Sequence, residues 1–167
     1  MECTILLTTH YSLFTIFMQE IVILIGFPGS GKTTYCREKL SDYIRISLYD
    51  LIHMVGGNKK VAKKLELKCI ERTLDMGFNV VIDRANLTGI RRKKIIDFAR
   101  KKKVPVRAIW FSVEENIWHE RNRRRTLQKK ESSPRVPEDK IEDMKKEFEE
   151  PSLNEGFYEL IIVNGEG

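Results

Sequence analysis

Cysteine is scarce in this chain. There are three in 167 residues, Cys3, Cys36 and Cys69, odd in number and far apart. That excludes a disulfide framework, and their spacing suggests no zinc site, so a reducing compartment is expected, cytoplasmic or nuclear rather than secreted. Long apolar runs are also missing. Residues 1–19 are apolar but broken by Thr8, Thr9, His10 and Ser12, too short and too polar for a membrane span. No basic stretch precedes them and no small-residue cleavage site follows, so a signal peptide is not expected. Internal repeats and coiled-coil heptads are absent as well.

What is present begins with charge. Thirty Lys and Arg against 24 Asp and Glu leave a net charge of +6, and the sequence pI is about 9.2. The balance favours acidic partners such as phosphates or nucleic acid. The length suits a single domain with a real core. We divide it into an N-terminal extension, 1–19, and a domain, 20–167. Met18 stands just before the first clear strand, and translation starting there is the expected origin of the extension. The alternative is an extra strand or helix packed on the domain.

The stretch that organises the rest is Ile21 to Thr34. Ile21–Ile25 is an apolar run of the kind that forms a fully buried strand. GFPGSGKTT follows. Gly26, Gly29, Ser30, Gly31, Lys32 and Thr33 fit G-x-x-x-x-G-K-[ST] without a mismatch, and Pro28 and Thr34 complete the segment. Glycines let backbone N–H groups crowd round an anion, and a helix starting near Lys32 aims its positive end at the same point. Lys32 can reach the β- and γ-phosphates of a nucleoside triphosphate, and the Thr33 hydroxyl can hold Mg²⁺.

Strand and helix signals then alternate. Helices are expected over 33–40, 49–55, 61–76, 88–102, 114–125 and 138–148, and strands over 43–47, 80–82, 106–111 and 158–163. The helix at 61–76 takes Val61, Leu65, Leu67, Cys69, Ile70 and Leu74 as its apolar residues, and the one at 88–102 takes Ile90, Ile95, Ile96, Phe98 and Ala99. Thr88 is expected to cap the latter, and Ser112 with Glu115 to form a capping box for the helix at 114–125. Lys129 to Pro137 reads as a loop. The alternation implies an α/β fold with a parallel sheet covered on both faces; with the glycine loop, the expected arrangement is a three-layer fold of the P-loop NTPase kind, five mostly parallel strands with helices on both faces and an Arg-rich lid. The ligand belongs beyond the carboxyl ends of the strands.

Four groups carry chemistry. Asp83 ends the buried run Val80-Val81-Ile82 and can take a Mg²⁺-side or acceptor-orienting role, or simply cap a loop; Asn86 fits a turn equally well. Arg121, Arg123, Arg124 and Arg125, followed by Lys129 and Lys130, suit a lid that neutralises transferring phosphate. Arg121 and Arg125 are one turn apart and can face the same phosphates, although a solvated basic helix end would look the same. Arg91 to Lys94 and Arg100 to Lys103 could follow a nucleic-acid backbone or form a solvated face. Asp50, after the second strand, is the candidate base for an attacking hydroxyl, or an ordinary helix-start acid; His53 is more simply structural.

At these residues the chain resembles the kinase module of the 5′-hydroxyl polynucleotide kinases, P-loop kinases with an adenylate-kinase-like core. The resemblance spans about residues 20–163: GFPGSGKTT, VVIDRANL, the helix RRKKIIDFARKKKVPVRAIWF, the lid RNRRR and the tail VPEDKIEDMKKEFEEPSLNEGF. It implies ATP and Mg²⁺ at Lys32 and Thr33, a strand-end acid at Asp83, a lid arginine at Arg125 and a polynucleotide acceptor, single-stranded or with an exposed end. The family's base belongs to a pattern like Arg-Asp-Asp. An ungapped alignment sets Tyr49 there, with Asp50 one residue later, and Ile52 and His53 stand where some members carry an acceptor-phosphate arginine. A small-molecule or aminoacyl-tRNA kinase, and a non-catalytic nucleotide-binding module, fit the same scaffold.

Overall fold

The structure, a computed structural model, describes residues 3–7, 19–125 and 135–165. Its elements are β1 (Cys3–Leu7), β2 (Ile21–Ile25), α1 (Lys32–Lys39), β3 (Ile44–Ile46), α2 (Leu48–Met54), α3 (Lys59–Asp75) and β4 (Val80–Ile82), then α4 (Gly89–Lys102), β5 (Val106–Val113), α5 (Glu115–Arg124), α6 (Glu138–Lys146), a 3₁₀ turn (Leu153–Glu155) and β6 (Glu159–Gly165). One sheet runs in the order β1-β6-β5-β2-β4-β3. β2 lies between β4 and β5, parallel to both, with Ile23 opposite Ile82 and Ala108. β3 and β6 extend the parallel set on either side. These are the five expected parallel strands. The sixth, β1, comes from the N-terminal extension and pairs antiparallel with β6, Ile5 opposite Ile161. The remainder of that extension up to Met18 lies outside the described residues.

β2 is covered on both faces, and its alternating side chains divide between two cores. Ile21, Ile23 and Ile25 join the core beneath α2, α3 and α4, with Leu51, Ile70, Leu74, Ile95 and Ile96. Val22 and Leu24 join the other, with Cys36 and Leu40 at α1. Burial pushes the Cys36 thiol up to about 11, so it is a core side chain and no nucleophile.

Four local expectations are corrected. The buried residues of α3 are Ala62, Glu66, Ile70 and Leu74, while Val61 and Leu67 are exposed; a carboxylate holds a place that apolar counting assigned elsewhere. Ile90 on α4 is likewise 66% exposed. Ser112 belongs to β5 and is exposed, and the N-cap of α5 is Glu114, which makes no side-chain cap bond. Thr88 does stand at the N-cap of α4, but its hydroxyl makes no cap bond. The carboxylate of Glu149, distant in sequence, accepts from Gly89 N at 2.9 Å instead, and Glu149 N donates to Leu87 O at 2.9 Å.

Arg92 takes no part in a basic surface run. It is 1% exposed. Its Nε and Nη2 donate to Glu155 at 2.7 and 2.8 Å, and its Nη1 donates to the carbonyls of Asn86, Leu87 and Glu149. It thereby ties the loop after β4 to the segment after α6. A second buried network closes the amino ends of the strands. Glu20 accepts from Tyr43, from Arg107 at 2.5 Å and from Tyr158 at 2.6 Å, and burial raises both tyrosine hydroxyls above their usual value. Removing one member of a buried ion pair leaves the other uncompensated. Arg92→Met is therefore expected to lower the unfolding free energy by about 3–5 kcal/mol, measured by urea denaturation; a loss below about 1 kcal/mol would show that Glu155 and the carbonyls find other partners.

Candidate phosphate-transfer site

The site forms where chain order reverses about β2. From there the chain goes to β3 and β4 on one side and then to β5 and β6 on the other. That crevice, at the carboxyl ends of the strands, is where open α/β sheets bind ligands. The loop 26–31 leaves β2 here, anchored by Gly26 N donating to Ala85 O at 3.0 Å. Gly29 has φ +89, and a Cβ on it would lie 2.2 Å from the Trp118 carbonyl oxygen of α5. Only glycine permits both the left-handed backbone and that approach. Phe27 stacks on Trp118, ring centres 4.8 Å apart, and also meets Phe148. Pro28 and Ser30 are buried, and Thr34 is exposed on α1. Gly31, φ +96, is the N-cap of α1 and has open space where a Cβ would stand.

Lys32 opens α1 and is buried. Its Nζ donates to Gly26 O at 2.9 Å, Phe27 O at 2.7 Å and Ser30 Oγ at 3.2 Å, folded back across the mouth of the loop. Burial pushes its ammonium down to about 8; Asp83 opposes that shift and Arg125 adds to it. The charge of Arg125 is thus felt at Lys32. Arg125, half-buried, is the C-cap of α5; Arg121 is exposed one turn earlier. Of the proposed lid, 126–134, with Lys129 and Lys130, lies outside the described residues. Its two ends are joined nonetheless. Asn122, fully buried, donates from Nδ2 to Val136 O at 2.9 Å and accepts from Val136 N at 3.0 Å.

Asp83 ends β4 opposite the loop. Its Oδ2 accepts from Thr33 Oγ1 at 2.9 Å and from Arg45 Nε at 2.7 Å. Arg45 Nη1 also donates to Asp50 Oδ2 at 2.7 Å. One guanidinium thus joins the two carboxylates that sequence reasoning singled out, and Asp83 is no mere loop cap. Arg45 itself was missed. The available signal was a lone charge between two isoleucines in β3. Asp50 is exposed in the first turn of α2, where Ser47 is the N-cap and accepts from Asp50 N at 3.3 Å. Tyr49 and His53 pair with each other at 2.5 Å. Asn86 is both turn residue and tie: its φ is +47, and its Nδ2 donates to Leu24 O at 2.8 Å. Beside Asp83, Arg84 Nη1 donates to Glu66 Oε2 at 2.8 Å. Burial raises the Glu66 carboxyl, with Arg84 opposing.

The cradle of backbone N–H groups, Lys32 and the start of α1 fit nucleotide phosphates. Thr33 and Asp83, within 2.9 Å of each other, fit the hydroxyl-plus-carboxylate set by which Mg²⁺ is held alongside phosphates. Among the described residues no cluster of three or more His, Cys, Asp or Glu is suited to a metal, and no helix is long and apolar enough to cross a membrane.

Fold and cradle together define a P-loop nucleotide-binding domain of the kinase type. Residues 21–151 match the AAA_33 family of AAA domains, and the chain belongs to that family. It is 31% identical over 144 residues to the bifunctional polynucleotide phosphatase/kinase of Schizosaccharomyces pombe, a match covering 83% of this chain and 32% of that protein. The chain spans about a third or less of the length of the curated relatives it matches. Its fold is similar to that of Chaetomium thermophilum Kti12 in complex with ADP-AlF3, with a TM-score of 0.67 and 18% identity over 86% of this chain and 88% of that one. A gluconokinase from Sinorhizobium meliloti 1021 shares the fold too, with a TM-score of 0.58 and 20% identity over 89% of this chain and 83% of that one.

Two outcomes follow from this geometry. Lys32 keeps its charge below about pH 8 and loses it above. Nucleotide affinity should therefore fall as pH rises from 7 to 9, by up to about tenfold per unit above the pKa. Calorimetric titration of ATP at each pH checks this, and a Kd flat across the window contradicts it. Gly31→Ala should cost only the left-handed strain, about 1–2 kcal/mol, whereas Gly29→Ala must also push α5 away and should abolish ATP binding; equal effects in thermal melts and titrations would refute the contact with Trp118.

Proposed function

We propose that this domain is an ATP-dependent kinase that transfers the γ-phosphate to the 5′-hydroxyl of a polynucleotide, DNA or RNA. The observation that carries the reading is the linked run Asp50–Arg45–Asp83–Thr33, which joins a carboxylate on the open side of the crevice to the donor-phosphate side. A hydroxyl entering beside α2 meets Asp50 on its way to the cradle. The polynucleotide acceptor is supported by the relative from Schizosaccharomyces pombe and by the sequence resemblance.

Lys32 swings from its loop carbonyls to the β- and γ-phosphates, and the backbone N–H groups of 29–33 orient them. Thr33 and Asp83 would hold Mg²⁺, which would supply charge neutralisation to the phosphates. Asp50 accepts the proton of the 5′-hydroxyl, the hydroxyl oxygen forms the new bond to the γ-phosphorus, and the bond from the γ-phosphorus to the β–γ bridging oxygen breaks to leave ADP. Arg45 holds Asp50 in place through its 2.7 Å bond. Arg125, with Arg121 behind it, neutralises the group in flight.

The test is transfer of labelled γ-phosphate from ATP to 5′-hydroxyl DNA and RNA oligonucleotides, with 5′-phosphorylated ones as controls. Lys32→Ala and Arg125→Ala should each lower kcat/KM about a thousandfold, and Asp50→Asn should abolish transfer without weakening ATP binding. Transfer that survives Asp50→Asn moves the base elsewhere. ATP binding with no transfer to any oligonucleotide overturns the reading, in favour of a small-molecule or aminoacyl-tRNA acceptor or of a non-catalytic module.

A further inference from the structure

We propose that the first two turns of α3, together with Arg84, form a track that carries the phosphates of the acceptor strand away from the reacting end. The proposal rests on the polynucleotide reading above. α3 leads into β4 and α4 into β5, and both strands are parallel to β2. Both helices therefore start at the carboxyl edge of the sheet, beside the crevice, and run back towards the other edge. They lie side by side: Lys102, at the end of α4, pairs with Glu71 at 3.1 Å and Asp75 at 3.3 Å, near the end of α3.

Charge is sorted along this pair. The exposed or half-exposed acids Glu71, Asp75 and Asp97 all fall in the second halves of the helices, where they pair with Lys68, Arg72, Lys93, Arg100 and Lys102. The first half of α3 has the reverse composition. Lys59, Lys60, Lys63 and Lys64 are all exposed, and none makes an ion pair among the described residues. No acid stands in the first turn. Lysines there oppose the helix dipole, which favours anions at that end. A solvated face chosen for stability alone would carry acids at this position; an anion docked there would reconcile the dipole and the lysines.

Direction is set by helical spacing. Lys59 and Lys63 lie four apart, one turn from each other, on the same side of α3. The buried stripe itself is Ala62, Glu66, Ile70 and Leu74, and Lys59 and Lys63 stand exposed beside it in the turns nearest the carboxyl edge. Glu66 connects the stripe to the site, since it holds Arg84, the residue after Asp83, and feels the charge of Lys63. The bond to Glu66 uses one nitrogen of the Arg84 fork and leaves its other donors for a phosphate. From the transfer point outward the order is Asp83, Arg84, Lys63, Lys59. Such an arrangement reads backbone and carries no base code.

The experiment compares Lys59→Glu/Lys63→Glu with Lys101→Glu/Lys103→Glu, which makes the same change of charge at the far end of α4. Anisotropy of a long, labelled, single-stranded 5′-hydroxyl oligonucleotide is read against salt, and transfer KM is read for that strand and for a trinucleotide. The first variant should weaken binding of the long strand by about tenfold or more at low salt and flatten the log K against log salt slope by roughly 1.4, for two lost phosphate contacts. It should also lose the KM advantage of the long strand over the trinucleotide. The far-end variant should match the wild type. Equal weakening in both variants, no weakening in either, or a wild type that binds long and short strands alike overturns the track. If the wild type binds the long strand but phosphorylates no 5′-hydroxyl, the kinase reading fails, and the track stands or falls on binding alone.

Discussion

The carboxylate of Asp83 is the point on which this site depends. A buried strand delivers it to the one place in the sheet where crossovers part, and both of its close partners meet it at the same oxygen. One is a hydroxyl from the helix that follows the phosphate loop. The other is a guanidinium from the edge strand. Thr33 brings the phosphate-loop side and Arg45 the edge-strand side, so relative alignment of the two halves of the crevice is referred to a single atom. Buried carboxylates are costly unless satisfied, and here satisfaction and alignment are the same bonds.

Much of this was legible in the sequence because it is local. The phosphate loop is contiguous, its glycines answer to backbone conformations within a few residues, and β2 announces itself by an unbroken apolar run. The parallel sheet followed from alternation. What could not be read are the contacts that join distant segments. Glu149 caps α4 across a gap of 60 residues, so Thr88 looked sufficient when it was not. Arg92 sits in a run of four basic residues, and only tertiary structure separates the one that is buried from those that are solvated. Arg45 carried a faint signal, a charge inside a strand, but its two partners lie 5 and 38 residues away. Ser112 shows the opposite error: a good local pattern overruled because β5 continues through it to pair with β6.

Charged groups inside this domain work as ties at its two ends. Glu20, Tyr43, Arg107 and Tyr158 bind together the amino ends of four parallel strands. Arg92 and Glu155 bind the loop after β4 to the chain after α6. Between these ties the core is almost wholly aliphatic. Ion pairs of this sort contribute little net stability, since desolvation offsets attraction, but they tolerate few alternative registers. The crevice lies at the carboxyl edge, between the Arg92–Glu155 tie and the phosphate loop.

The paired bonds of Asn122 and Val136 have a consequence for how this domain can vary. They clasp the chain on both sides of the segment 126–134 and match one side-chain amide to the backbone N–H and C=O of one residue. Whatever lies between enters and leaves the fold at a fixed gate. Lengthening a loop whose ends are already clasped costs only about 0.6 kcal/mol for each doubling. The segment can therefore be lengthened, shortened or exchanged as a cassette while the phosphate loop, held against α5 at Gly29, stays where it is.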